Sequence, residues 1–217
     1  MRIISLLLLL GVAGCSAQTI SRSAILKQPS LPMIASRDVP RNFITAVTRM
    51  RPVLIETCKS STKDLNCDFV FVIDPNLESL PNAFQTENEE GQPVLGFTMT
   101  LLTDMYNADE IAFVIGHEAA HHILSHLDRQ KRSSIGVASN LGAAVGGRTY
   151  SKNYESEADR LGAQMTLRAG LDPVLGSAYL MRIPEPRSRL FKSHPRNADR
   201  IAGVRAAVGL WGNWEWC

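Results

Sequence analysis

Short apolar runs dominate the first half of the chain, and apolar positions at helical spacing dominate the second. After Asp38, the residues Phe43, Val47, Met50 and Leu54 recur at steps of four, three and four. That spacing predicts a helix capped by Asp38, running to about Thr57 and kinked at Pro52. Phe69 to Ile73 is an unbroken apolar run and predicts a buried strand. Pro81–Thr86 and Val94–Thr100 predict two more strands around the acidic loop Glu87–Gly91. The first of them begins with Pro and is therefore an expected edge. Asn107 and Glu110 form a capping-box pattern ahead of a strongly periodic helix from Ala108 to about Arg129. Ser133–Gly147 is rich in small residues and can be a helix or a loop. Further helices are expected over Lys152–Ala169, stopped by Gly170, from Asp172-Pro173 to about Arg182, and over Arg196–Val208. Strands early and helices late make the fold class α+β.

The first residues follow a different pattern. Met1-Arg2 is positive, and Ile3–Ala13 is apolar except for Ser5 and Gly11. Such a run is too short to span a membrane, which takes about 20 residues, and fits an export signal. Val12-Ala13-Gly14-Cys15 resembles a bacterial lipobox, in which the cysteine is acylated and becomes the first residue. Residues 1–14 are then a lipoprotein signal, 15–37 a Ser-, Pro- and Gln-rich tether, and 38–217 the folded domain. Ser16 after the lipid-bearing Cys15 resembles an outer-membrane address. The expected location is the bacterial envelope, on the periplasmic face of the outer membrane. That compartment is oxidising. Cys58, Cys67 and Cys217 allow three pairings, of which Cys58–Cys67 would join a helix end to a strand start.

Composition changes little. Lys and Arg total 23 against 21 Asp and Glu, a net charge of +2, which gives no electrostatic case for nucleic acid. The tail residues Trp211, Trp214 and Trp216 can pack on the domain or sit at a lipid or partner interface.

The chemistry lies in the second half. His117-Glu118-Ala119-Ala120-His121 is an HExxH string within the strong helix. At 100° per residue the two histidines stand about 40° apart, one turn along one face. They can grip one Zn²⁺, whose water then has a pKa near 7. Glu118 flanks that face, placed to act as general base and then to protonate the leaving amine. The positions where a metzincin would carry Gly and His are Leu124 and Leu127, so a carboxylate is the expected third ligand. Glu155 and Asp159, four apart on the next strong helix, share a face. Glu155 can bind the ion and Asp159 can orient a ligating histidine, while Glu157 points away toward solvent. His122 and His126 are also four apart and could in principle bind a metal, but His122 lies about 120° around from the middle of the first pair, so a surface or packing role is the expected one. His194, in Ser193-His194-Pro195, can donate to the oxyanion of a tetrahedral intermediate or approach the zinc and block it. Arg200 can hold Glu155 or Asp159.

These segments together resemble the family-forty-eight zinc metallopeptidases, the HExxH…ExxxD gluzincins, in their single-domain lipoprotein form. The matching features are His117-Glu118-x-x-His121, Glu155-x-x-x-Asp159 with Arg160-Leu161-Gly162, and Ser193-His194-Pro195 with Arg200-Ile201. The resemblance implies a zincin-like fold, one zinc ion held by His117, His121 and Glu155, and Glu118 as the base. It also implies endopeptidase action on unfolded or misassembled proteins. Asn82-Ala83-Phe84 looks like the family's edge strand, which pairs with an extended substrate. In the alternative reading, the chain is a chaperone-like or assembly factor that holds client strands while His194 closes the zinc site.

Overall fold

The computed structural model describes residues 38–134, 151–183 and 195–209. Cys15, the tether, residues 135–150, His194, Cys217 and the Trp tail lie outside them.

Helix α1 is Val39–Ser61, four residues longer than the periodicity predicts, and it runs through Pro52. Asp38 stands at its N-cap but makes no side-chain cap bond; its carbonyl accepts from Asn42 N–H at 2.8 Å. The inward stripe is Ala46, Met50, Leu54 and Cys58, all fully buried. A disulfide joins Cys58 to Cys67, with the two Cα atoms 5.8 Å apart, so the end of α1 is tied to the segment entering the sheet.

Three strands follow: β1 Val70–Asp74, β2 Ala83–Glu87 and β3 Pro93–Thr98. The sheet order is β1-β3-β2, with β1 parallel and β2 antiparallel to β3. This corrects one expectation. The apolar run at β1 is not a buried strand but an outer one, with Val72 and Ile73 each 38% exposed. The β2–β3 hairpin puts β3 in the middle, and β3 supplies the fully buried Leu95 and Phe97. Strand β2 is an edge, as Pro81 suggested, although it begins two residues later. Thr98 ends β3 and caps a short helix not read from sequence, α2 Met99–Asp104.

The central helix α3 is Ala108–Ile123. Asn107 caps it, its side chain accepting from Glu110 N–H at 2.9 Å. The capping box is not closed reciprocally. Glu110 is fully buried, accepts instead from Tyr106 N–H, and is gripped by Arg182 at 2.8 and 2.6 Å. Helix α3 is buried nearly all round because α1, α5, α6 and the β2–β3 side of the sheet pack against it. It stops at Leu124, so the single helix expected to reach Arg129 is two helices. Ser125 takes a left-handed conformation, φ 52°, and α4 His126–Ser134 starts in a new direction. The remaining elements are α5 Lys152–Arg168, α6 Pro173–Ser177 with a 3₁₀ turn over Ala178–Met181, and α7 Asn197–Gly209. The helix predicted from Asp172-Pro173 to about Arg182 is thus α-helical only to Ser177 and 3₁₀ from there to Met181. Among the described residues no helix is long and apolar enough to cross a membrane.

Two apolar clusters hold these elements. The larger joins α1, β3, α2, α3 and α5 through Met50, Leu54, Phe97, Leu102, Ile115 and Met165. The smaller joins α3, α5, the 3₁₀ turn and α7 through Phe113, Ala163, Leu180 and Val204. The second fixes α7, which carries Arg200.

Candidate metal centre

The site is built where α3 crosses α5. Gly116 and Gly162 face each other at the crossing. A Cβ on Gly116 would lie 2.7 Å from the Gly162 carbonyl oxygen, and one on Gly162 would lie 2.7 Å from His117 N. Only two glycines allow that approach. It brings Glu155, near the capped N-terminus of α5, to the face of α3 that carries both imidazoles.

Three buried acceptors converge there. His117 Nε2 and His121 Nε2 lie 3.1 Å apart. Glu155 Oε2 is 3.5 Å from the first and Glu155 Oε1 is 3.6 Å from the second. The three residues are 7%, 1% and 1% exposed. Each imidazole uses its other nitrogen elsewhere. His117 Nδ1 pairs with Asp159 Oδ1 at 2.9 Å, and His121 Nδ1 pairs with His126 Nδ1 at 2.9 Å. The Nε2 atoms are thereby turned to the centre.

Charge is arranged around them. Arg200 on α7 holds Asp159 through two bonds of 2.8 and 2.7 Å. Burial works against the Asp159 carboxylate, but the hydrogen bonds from Arg200 and His117 and their charges hold its pKa far below the usual range. Burial likewise opposes a charged His117, and the Asp159 bond and charge, helped by Glu155, outweigh it and raise its pKa. Arg200 is itself pushed up against its burial, by the Asp159 bonds and then by the charges of Asp159, Glu155 and Glu118. Glu118 therefore stands close to this cluster, and it is partly exposed.

The donor set fits a zinc ion. Four-coordinate zinc holds nitrogen and oxygen ligands at about 2.0–2.1 Å, which spaces them about 3.3 Å apart. The separations of 3.1, 3.5 and 3.6 Å bracket that value. His117, His121 and Glu155 are the group of His, Cys, Asp and Glu found among the described residues that could hold a metal ion.

The comparison with known proteins points the same way. The sequence matches the model of peptidase family M48 over two overlapping stretches, residues 53–146 and 130–208. The chain belongs to peptidase family M48. It is also 26% identical over 129 residues to the metalloprotease LoiP of Escherichia coli (strain K12), a match that covers 48% of this chain and 51% of that relative. The chain thus aligns with about half of the relative's length.

Within this M48 chain the predicted residues fall as follows. His117, His121 and Glu155 converge, with Glu118 beside them. Arg200 binds Asp159 rather than Glu155. Cys58 and Cys67 are joined. Asn82 stands just before β2, its carbonyl accepting from Thr98 N–H at 3.0 Å, and Ala83 and Phe84 lie in the strand. His194 and Cys15 lie outside the described residues.

His122 and His126 take the packing role, one of the two expected of them, while Glu157 departs from expectation. His122 is buried, and its Nε2 pairs with the Asn66 carbonyl at 2.8 Å inside the disulfide loop, bracing α3 from outside. His126 is fully buried and touches His121, and Glu157 is not solvated alone. Glu157 takes His126 Nε2 at 3.2 Å and Arg129 at 2.8 Å, and Arg129 holds its carboxyl below the usual range. The turn at Ser125 was the missing signal: in an unbroken helix His126 would sit about 140° around from His121. Gly116 was also missed, and no periodicity argument marks it.

Proposed function

We propose that this M48 protein is a zinc-dependent endopeptidase of the bacterial envelope that cuts unfolded or misassembled polypeptides and is held at the membrane by a lipid on Cys15. The observation that carries the reading is the convergence of His117 Nε2, His121 Nε2 and the Glu155 carboxylate, with Glu118 next to His117 in sequence. A zinc ion bound there supplies a Lewis acid for the scissile carbonyl and acidifies a water.

The chain's own residues do the rest. Asp159, charged through Arg200, accepts the His117 Nδ1 proton and keeps that ring's Nε2 toward the ligand position. Glu118, on the next position of α3 and partly exposed, receives the proton of the attacking water and returns it to the leaving amine. Substrate binding is supported by β2. In the antiparallel register, Phe84 and Thr86 exchange bonds with β3, while the backbone groups of Ala83, Gln85 and Glu87 turn outward. An extended polypeptide can add there as a further strand, beside α3, against which β2 packs. Backbone recognition of this kind suits chains without a fixed fold. The lipobox-like segment ending at Cys15 supports the membrane anchor.

The test is cleavage of an unfolded protein by the zinc-loaded full chain, wild type beside Glu118→Gln. The wild type is expected to cut and the variant to be slower by about 100-fold or more. Equal rates would overturn the assignment.

A further inference from the structure

The second nitrogen of His121 meets another imidazole rather than a carboxylate. His121 Nδ1 and His126 Nδ1 are 2.9 Å apart, and both rings are buried. A contact between two ring nitrogens needs one donor and one acceptor. The far side of His126 decides which is which. Its Nε2 lies 3.2 Å from Glu157 Oε2, and an ionised carboxylate can only accept. His126 Nε2 therefore carries the proton, and in the neutral ring Nδ1 is the acceptor. His121 Nδ1 must then donate, which leaves His121 Nε2 bare and facing Glu155 and His117.

We propose that His126 and Glu157 are positioning residues for the metal: through two successive hydrogen bonds they fix the tautomer and the ring orientation with which His121 enters the centre. The inference rests on reading that centre as a zinc site. The relay is held rigidly. The His126 ring stacks on Tyr154, with centroids 4.6 Å apart, and the Arg129 guanidinium lies 4.5 Å from the centre of the same Tyr154 ring while binding Glu157. The relay joins three helices: His121 from α3, His126 and Arg129 from α4, Tyr154 and Glu157 from α5. Since α5 also carries Glu155, the same contacts set the tautomer of one ligand and the distance to another. Packing alone would need the ring of His126 but not its nitrogens, and that difference is measurable.

His126→Phe keeps an aromatic ring against Tyr154 and removes the acceptor. His126→Asn gives up the stack but leaves an amide oxygen near the former Nδ1. Glu157→Ala removes the far acceptor from a partly exposed position. Zinc affinity of the purified full chain, by chelator competition, is expected to fall about 10- to 100-fold in His126→Phe. It should stay within a few-fold of wild type in His126→Asn and fall several-fold in Glu157→Ala. In the metal-free chain, ¹⁵N shifts of the His121 ring should report the Nδ1–H tautomer in wild type and a mixture in His126→Phe and Glu157→Ala. The melting temperature of each metal-free protein separates loss of packing from loss of affinity.

The proposal is overturned if His126→Phe binds zinc within twofold of wild type. It is equally overturned if His126→Asn is the weaker of the two and affinity simply follows melting temperature. Should His126→Phe not fold, unchanged affinity and an unchanged His121 tautomer in Glu157→Ala overturn it. A wild type that binds no zinc overturns the metal reading instead, and the tautomer in the metal-free chain still decides the relay.

Discussion

The two imidazoles of the HExxH helix are braced by opposite chemistries. Behind His117 stands a buried ion pair: Asp159 is 2% and Arg200 10% exposed, and the pair is closed by two short bonds. Behind His121 stands a buried imidazole, His126, and behind that a surface pair, Glu157 at 36% and Arg129 at 39% exposed. One brace puts a full negative charge against the ligand. The other passes a neutral hydrogen bond inward and leaves its charge at the surface. A single buried site already holding Glu155 and Asp159 gains little from a third buried carboxylate, which would need its own cation to offset desolvation. The neutral relay orients His121 without that requirement.

The contrast is broken most sharply on the His117 side. Asp159→Ala leaves Arg200 buried without its main partner, a change that typically costs about 3–5 kcal/mol. Denaturant unfolding of the metal-free proteins measures it. The pH dependence gives an independent sign. The folded-state pKa of Asp159 is depressed, so its contribution is complete above the unfolded value of about 4 and is lost as pH falls toward the lower folded value. Wild type should therefore lose more stability than Asp159→Ala between about pH 4 and pH 2. Parallel acid profiles would mean that the pair adds nothing net.

The two braces also differ in how far the sequence reveals them. Asp159 follows Glu155 by one helical turn, so a pattern of 3.6 residues carries both onto one face. His117 and His121 are legible for the same reason, and Glu118 by its place between them in the HExxH string. His126 is not, because its place depends on the left-handed break at Ser125, and serine carries no strong breaker signal. Strand order was hidden in the same way. The run Phe69 to Ile73 shows that a strand forms, but a short apolar run does not say which strand is central, and the hairpin gave that place to β3. The helix over Val39–Ser61 outran its prediction because Cys58, read only for its thiol, continues the buried stripe by one more turn.

A smaller effect is expected where the two braces share a support. Both Asp159 and Glu157 ride on α5, and the depth of α5 against α3 is set at Gly162. An added Cβ in Gly162→Ala meets His117 N at 2.7 Å and Gly116 C at 2.9 Å, backbone atoms that cannot rotate away. The helices must separate, at a cost of about 1–3 kcal/mol by the usual scale of overpacking. Because the clash falls at His117, the distance from Glu155 to that ring should open first. Zinc affinity is expected to drop about tenfold or more, with the His121 tautomer unchanged. A loss of stability with no change in affinity would show that the ligand set does not depend on the depth of this crossing.

The least disturbance sharpens the comparison from the His121 side. Ser125 holds φ at 52°, where an L-residue pays roughly 1–2 kcal/mol and glycine does not. Glycine loses more freedom on folding, roughly 0.5–1 kcal/mol, so Ser125→Gly is expected to stabilise the metal-free protein by only about 0.5 kcal/mol. The turn itself is preserved, with Ser125 N–H still bonded to the His122 carbonyl at 2.8 Å and the Ser125 carbonyl still accepting from Arg129 N–H at 3.0 Å. His126 should therefore stay against His121, and zinc affinity should remain within twofold. If Ser125→Gly instead weakens zinc binding while raising stability, the left-handed turn must be held in one geometry for the relay to work. The His121 brace would then depend on backbone rigidity, where the His117 brace depends on charge.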